Sequence, residues 1–165
     1  MKNNKKFKTA DLCDEYSDGL VILSQRFKSY GKATSFCGTI STIKCFNDNS
    51  KVREAVNTDG SNKVLVVDGD GSNECALLGD MLAEAAFKNN WSGIIINGCI
   101  RDSDIITDID LGIFALSTTP IKSVKKGMGE NNVDIRFMNT TFKPGEYIYA
   151  DLDGIIISEK ELAIN

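Results

Sequence analysis

Gly93-Ile-Ile-Ile-Asn-Gly-Cys-Ile100 leads straight into the dipeptide Arg101-Asp102. The run is apolar, glycine-rich and short, which suits a buried strand, and it delivers a guanidinium and a carboxylate at its carboxyl end. A second run of this kind, Lys63-Val-Leu-Val-Val-Asp68, ends at Gly69. Between the two, Leu77, Leu78, Met81, Leu82, Ala85 and Ala86 recur at spacings of three and four, predicting a helix from near Asp80 to Asn89-Asn90. Strand, helix and strand in this order point to an α/β fold with a central sheet.

Outward from this centre the pattern continues. Thr9-Ala-Asp-Leu-Cys-Asp-Glu-Tyr16 reads as a short helix with Thr9 as N-cap. Phe36 to Phe46 has loose β alternation, Ser50 to Asn57 reads as a helix, and another short helix is expected around Asp104 to Ile109. A strand over Gly112 to Leu116 is followed by Pro120, which stops regular structure. Strands are expected at Val133 to Phe137, Tyr147 to Ala150 and Gly154 to Ile157, the last two joined by the turn Asp151-Leu-Asp-Gly154. The expectation is one mixed α/β domain over residues 1–165, with an antiparallel tail and a frayed basic start at residues 1–8.

Composition restricts the chemistry. Nineteen basic and 23 acidic residues leave a net charge of -4, so nothing global draws the chain to nucleic acid or an anionic membrane. The basic start lacks the apolar stretch of a secretory leader, and no run reaches the ~18 residues of a membrane span. The five cysteines form no Cys-x-x-Cys pair, which fits reduced thiols in the cytoplasm. Histidine is absent, which excludes His-containing zinc sites, Ser-His-Asp triads and Cys-His dyads. Proton transfer then falls to carboxylate, lysine, tyrosine, thiol or water.

Twenty residues separate Asp80 from Arg101. The first amides of a helix beginning at Asp80 lack intrahelical partners, so Met81 and Leu82 could receive a carboxylate, with Gly79 letting it approach the backbone. Read without function, Asp80 is simply an N-cap or first-turn acid. Arg101 and Asp102 serve one site only if the chain turns there, because neighbouring side chains on a strand point to opposite faces. Otherwise they form a structural ion pair or cap the next helix. One carboxylate plus waters suits Mg2+ or Mn2+, and such an ion with Arg101 could stabilise the enolate of a 2-oxo acid.

Other motifs fail on their spacing. Asp68-Gly-Asp-Gly-Ser-Asn-Glu74 opens like a calcium loop but has Asn73 in place of the glycine at the sixth position and Gly79 in place of the final glutamate. Gly69-Asp-Gly71 and Gly127-Met-Gly129 lack the third glycine of a dinucleotide fingerprint and read as tight turns. Asn139-Thr-Thr141 matches a glycosylation sequon by chance. Trp91 reads as a core anchor. Lys63 and Lys122, candidates for a Schiff base, lie outside apolar runs and read as solvated.

The segments Asp11-Leu-Cys-Asp14, Ile43-Lys-Cys-Phe46, Val64-Leu-Val-Val-Asp-Gly69, Asn90-Trp-Ser-Gly93, Gly127-Met-Gly-Glu130 and Tyr149-Ala-Asp151, with Asp80 and Arg101-Asp102, give the chain its family resemblance. It resembles the regulators of ribonuclease E activity A, in the group that includes class II 4-hydroxy-4-methyl-2-oxoglutarate aldolases. The resemblance implies a swivelling β/β/α fold in a homotrimeric ring or larger assembly, with sites between neighbours. It also implies that Gly79, Asp80, Met81, Leu82 and Arg101 bind pyruvate and that Asp102 leads to a divalent metal. By the same resemblance Asp80 helps position a water for proton transfer, with Arg101 as its catalytic companion, and oxaloacetate decarboxylation shares the enolate. Family members of the regulator branch bind ribonuclease E instead, so the resemblance leaves that partner open.

Overall fold

A computed structural model of the chain describes residues 6–23 and 26–164. The chain opens with α1 (Thr9–Glu15), β1 (Val21–Leu23), β2 (Lys28–Ser29) and β3 (Phe36–Lys44). Next come α2 (Ser50–Val56), β4 (Lys63–Asp68), β5 (Ala76–Leu78) and α3 (Asp80–Lys88). They are followed by β6 (Gly93–Ile100), α4 (Ser103–Ile106) and β7 (Gly112–Thr118). The last third holds β8 (Glu130–Asn131), β9 (Ile135–Phe137), β10 (Thr140–Phe142), β11 (Tyr147–Ala150) and β12 (Ile155–Ser158).

The large mixed sheet runs β1-β12-β11-β3-β4-β6-β7-β2, with β5 added to β6 and β8 to β3. Its centre, β3-β4-β6-β7, is parallel; β11, β12 and β1 extend it antiparallel on one side. Side-chain alternation assigns the two faces. Leu65, Val67, Ile94 and Ile96 join one core with Val52 and Val56 of α2 and Ala83 and Ala86 of α3. Val64, Val66 and Ile95 face the opposite core, closed by Ile135, Phe137 and Phe142 of the β9-β10 hairpin. Because both faces are covered, the central strands show the near-continuous apolar runs of the sequence. Trp91 is buried as expected, and its indole N–H donates to the Thr58 carbonyl at 3.1 Å.

At the start of β6 and β7, Gly93 and Gly112 lie opposite each other. The Phe36 ring covers both: a Cβ at Gly93 would stand 2.1 Å from it and one at Gly112 2.0 Å. That ring also meets Phe114 edge-on at 5.0 Å between centroids.

Several expectations are corrected. Lys8, not Thr9, is the N-cap of α1; the Thr9 amide and hydroxyl each donate to the Asp151 carboxylate at 2.7 Å. The frayed start at residues 1–8 lies mostly outside the described residues, but Phe7 packs edge-on against Tyr149 at 5.7 Å. Leu77 and Leu78 belong to β5 rather than to the helical face: extended Gly79 separates them from α3, and β5 pairs with β6. The strand expected at Val133 to Phe137 shortens to Ile135–Phe137 and turns through Met138-Asn139, both at positive φ, into β10. The Asp151–Gly154 turn does join β11 to antiparallel β12. No described helix is long and apolar enough to cross a membrane.

Candidate active site

Parallel strands deliver their following loops to one edge of a sheet. Here the carboxyl ends of β3, β6 and β7, with the β5-α3 junction, border one cleft of about 200 Å³. Gly79, Asp80, Met81, Leu82, Arg101 and Asp102 line one part of it. All six residues singled out in the sequence are therefore brought together.

Arg101 and Asp102 reach the same cleft because Asp102 is left-handed, at φ 56° and ψ 38°. An aspartate tolerates this conformation better than most residues, and it breaks the alternation that would send the two side chains to opposite faces. The Arg101 amide donates to the Leu78 carbonyl at 2.9 Å, fixing the strand end against β5. Arg101 Nε stands 3.6 Å from Asp102 Oδ2, with the side chains 40% and 35% exposed. Asp102 is the N-cap residue of α4 by position but makes no side-chain cap bond; its Oδ2 instead accepts from the Asp80 amide at 3.4 Å.

Gly79 enables this approach. A Cβ there would stand 2.7 Å from Asp102 Oδ2 and 3.4 Å from Arg101 Cγ. Asp80 Oδ1 accepts from the Met81 amide at 2.8 Å, so that donor is already engaged, while Leu82 remains a first-turn amide without an intrahelical carbonyl. The Met81 side chain is largely exposed.

The rest of the cleft was not singled out in the sequence as a site. Asn49 and Arg53 come from the start of α2, and Lys122, Ser123 and Lys125 from the segment after β7. That segment is pinned by backbone bonds from Ala76 to Ile121 O at 2.8 Å and from Thr119 to Ile100 O at 3.0 Å. The Asn49 amide donates to Ser123 Oγ at 2.7 Å. Beneath it, Asp48 accepts from the Ser50 amide and hydroxyl and from the Lys126 and Met128 amides, at 2.6–3.1 Å. Burial pushes the Asp48 carboxyl up, but these bonds outweigh it and hold the group at about 2. The signal available in the sequence was the basic run Lys122 to Lys126 directly after a parallel strand. Lys122 is exposed, as its polar neighbourhood suggested.

A family model of the RraA-like proteins, described as Aldolase/RraA, matches residues 9–157. A Pseudomonas putida (strain W619) protein named "Putative 4-hydroxy-4-methyl-2-oxoglutarate aldolase" is 53% identical over 154 residues, 93% of this chain and 94% of its own length. One of the same name from Aromatoleum aromaticum is 52% identical over 157 residues, covering 95% and 99%. Among solved structures, the RNA-processing inhibitor RraA from Thermus thermophilis superposes with a TM-score of 0.92 at 35% identity, covering 96% of each chain. A structure described as an S-adenosylmethionine:2-dimethylmenaquinone methyltransferase from Geobacillus kaustophilus gives a TM-score of 0.92 at 46% identity, covering 94% of this chain and 97% of that one. The mixed α/β fold of this chain is thus the fold of its RraA neighbour. The chain belongs to the RraA-like family.

Proposed function

We propose that the protein is a divalent-metal-dependent lyase that cleaves 4-hydroxy-4-methyl-2-oxoglutarate to two pyruvates and decarboxylates oxaloacetate through the same pyruvate enolate. One observation carries the reading: Asp80, Arg101 and Asp102 border a single cleft in which four cations, Arg53, Arg101, Lys122 and Lys125, face two carboxylates. In a chain of net charge -4, this local excess of positive charge suits a dianionic 2-oxo diacid. The cleft volume of about 200 Å³ is below the roughly 300–1,000 Å³ of sites for drug-sized ligands, which favours a small acid. The names of the relatives support the same class.

Arg101 would pair with the substrate carboxylate or the enolate oxygen, where charge develops. The Leu82 amide, the first-turn donor of α3 not engaged by a carboxylate, would orient the pyruvyl half. Asp80, directly or through a water, would take the C4 hydroxyl proton as the C3–C4 bond breaks and return it to C3. Asp102 is a hard oxygen donor, partly exposed and held by long contacts. Among the described residues no three acidic or cysteine groups cluster, so water and substrate oxygens would complete the shell, a donor set that Mg2+ or Mn2+ accepts. Such an ion supplies Lewis-acid stabilisation of the enolate when bound.

A coupled pyruvate assay tests this. Activity on both acids is expected with Mg2+ or Mn2+, to vanish with EDTA, and to fall more than about 100-fold in Arg101→Ala and Asp102→Ala, the scale of losing a charge-stabilising donor. Undiminished turnover in both variants would sink the reading. A homotrimer with each cleft completed between neighbours belongs to the same proposal. Ile121 and Val124, 59% and 51% exposed, flank the cleft lysines and support it, and light scattering would measure the mass. Five free thiols support a cytoplasmic location.

The likeness to an RNA-processing inhibitor favours a second reading, in which the protein binds ribonuclease E. That binding is expected to survive Asp102→Ala in a pull-down with purified nuclease; no association at physiological salt would remove this role.

A further inference from the structure

Asn49 sits at the N-cap position of α2 but makes no cap bond; at φ -96° and ψ 16° its backbone departs from the extended conformation usual for a capping residue. It is 8% exposed and lines the cleft. Its amide N–H is engaged by Ser123, and its Nδ2 donates to the Leu77 carbonyl at 3.3 Å. The second bond fixes the side-chain orientation, since a flipped amide would set two acceptors against each other. Oδ1 is left as the one buried side-chain polar atom without a partner among the described residues. A buried acceptor left unmet loses its hydration with no hydrogen bond in return. It therefore calls for a small donor at the cleft wall.

We infer that Asn49 is a positioning residue whose Oδ1 anchors, together with the Asp80 carboxylate, the water that relays the substrate hydroxyl proton. The inference rests on the lyase reading. A water donating one hydrogen to Asn49 and the other to Asp80 keeps a lone pair for the substrate. In aldol cleavage the C4 O–H bond breaks, its proton passes to the water, and the water passes its own proton to Asp80. The C3–C4 electron pair becomes the enolate and C4 becomes a carbonyl. An amide cannot take the proton, so Asn49 holds the relay without joining it. Oxaloacetate has no such proton to lose: its carboxylate leaves as CO2 and the same enolate remains. Protonation at C3 ends both reactions, so their ratio isolates the hydroxyl step.

The experiment measures kcat and KM of wild type and Asn49→Leu on both acids with Mg2+. The ratio of cleavage to decarboxylation is expected to fall at least about 10-fold, through kcat rather than KM, as loss of one hydrogen bond at about 1.4 kcal/mol per decade requires. Equal losses on the two acids, or a shift confined to KM, would make Asn49 merely structural. A high-resolution crystal structure of the wild type gives a second readout that does not depend on turnover or on the variant folding. Water bridging Asn49 Oδ1 and the Asp80 carboxylate is expected; its absence, or a water that does not reach Asp80, overturns the inference. A wild type inactive on both acids would refute the lyase reading separately.

Discussion

Asp48 shows how a single buried carboxylate shapes a site it does not enter. Its acceptor bonds fasten the start of α2 to the segment carrying Lys122 and Lys125, and they hold its folded value at about 2 against the ordinary 3.8. A depressed folded value means the stabilisation is complete above 3.8 and is lost as pH falls through 2. Asn replaces only one of the two acceptor oxygens, so Asp48→Asn is expected to lower stability at pH 7 by about 1–3 kcal/mol. Urea unfolding at successive pH values should show this gap closing as pH approaches 2. Gly79 acts by its smallness. In Gly79→Ala the new Cβ would meet Asp102 Oδ2 at 2.7 Å, so the carboxylate and Arg101 must move. Since misplacement of about 1 Å can cost ~100-fold, kcat/KM is expected to fall at least about 10-fold. The melting temperature of this variant should change little, because the clash is relieved at the edge of the cleft.

Among the elements, the paired strand starts at Gly93 and Gly112 are set by the ring above them. Gly93→Ala places a methyl 2.1 Å from Phe36, an overpacking expected to cost about 1–3 kcal/mol in denaturant titration. Combining it with Phe36→Leu should recover part of that loss, and strict additivity would argue against the contact. Long apolar runs made β4 and β6 legible, and helical spacing made α3 legible, because burial on both sides or on one stripe leaves a periodic trace. The short strands β1, β2, β5, β8 and β10 left no such trace; at two or three residues each, their pairing is decided by distant partners. The same holds for the site. Asp80, Arg101 and Asp102 stood at visible element ends, whereas Asn49 and Lys125 come to line one cleft only when the sheet sets the ends of β3 and β7 at one edge. Thr9 was misread as a cap because its real acceptor, Asp151, lies 142 positions away.

Across the whole molecule, β11 lies between β12 and the central strand β3, so the sheet's middle is completed by residues 147–150. Tyr149 and Ile156 on this pair cover Leu12 of α1 in a third apolar cluster. Truncation after residue 145 removes β11 and β12, leaves residues 36–39 of β3 unpaired on one edge and uncovers that cluster, and is expected to abolish cooperative unfolding by circular dichroism. A truncated protein that still melted in one sharp transition would show that the core stands without its tail. The two-pronged attachment of Thr9 to Asp151 has a further implication for biosynthesis. A growing polypeptide emerges front first, yet α1 lacks this attachment until residue 151 has been translated. The nascent N-terminal half must stay unaggregated on the ribosome, exposing strand edges to chaperones, before closure becomes available.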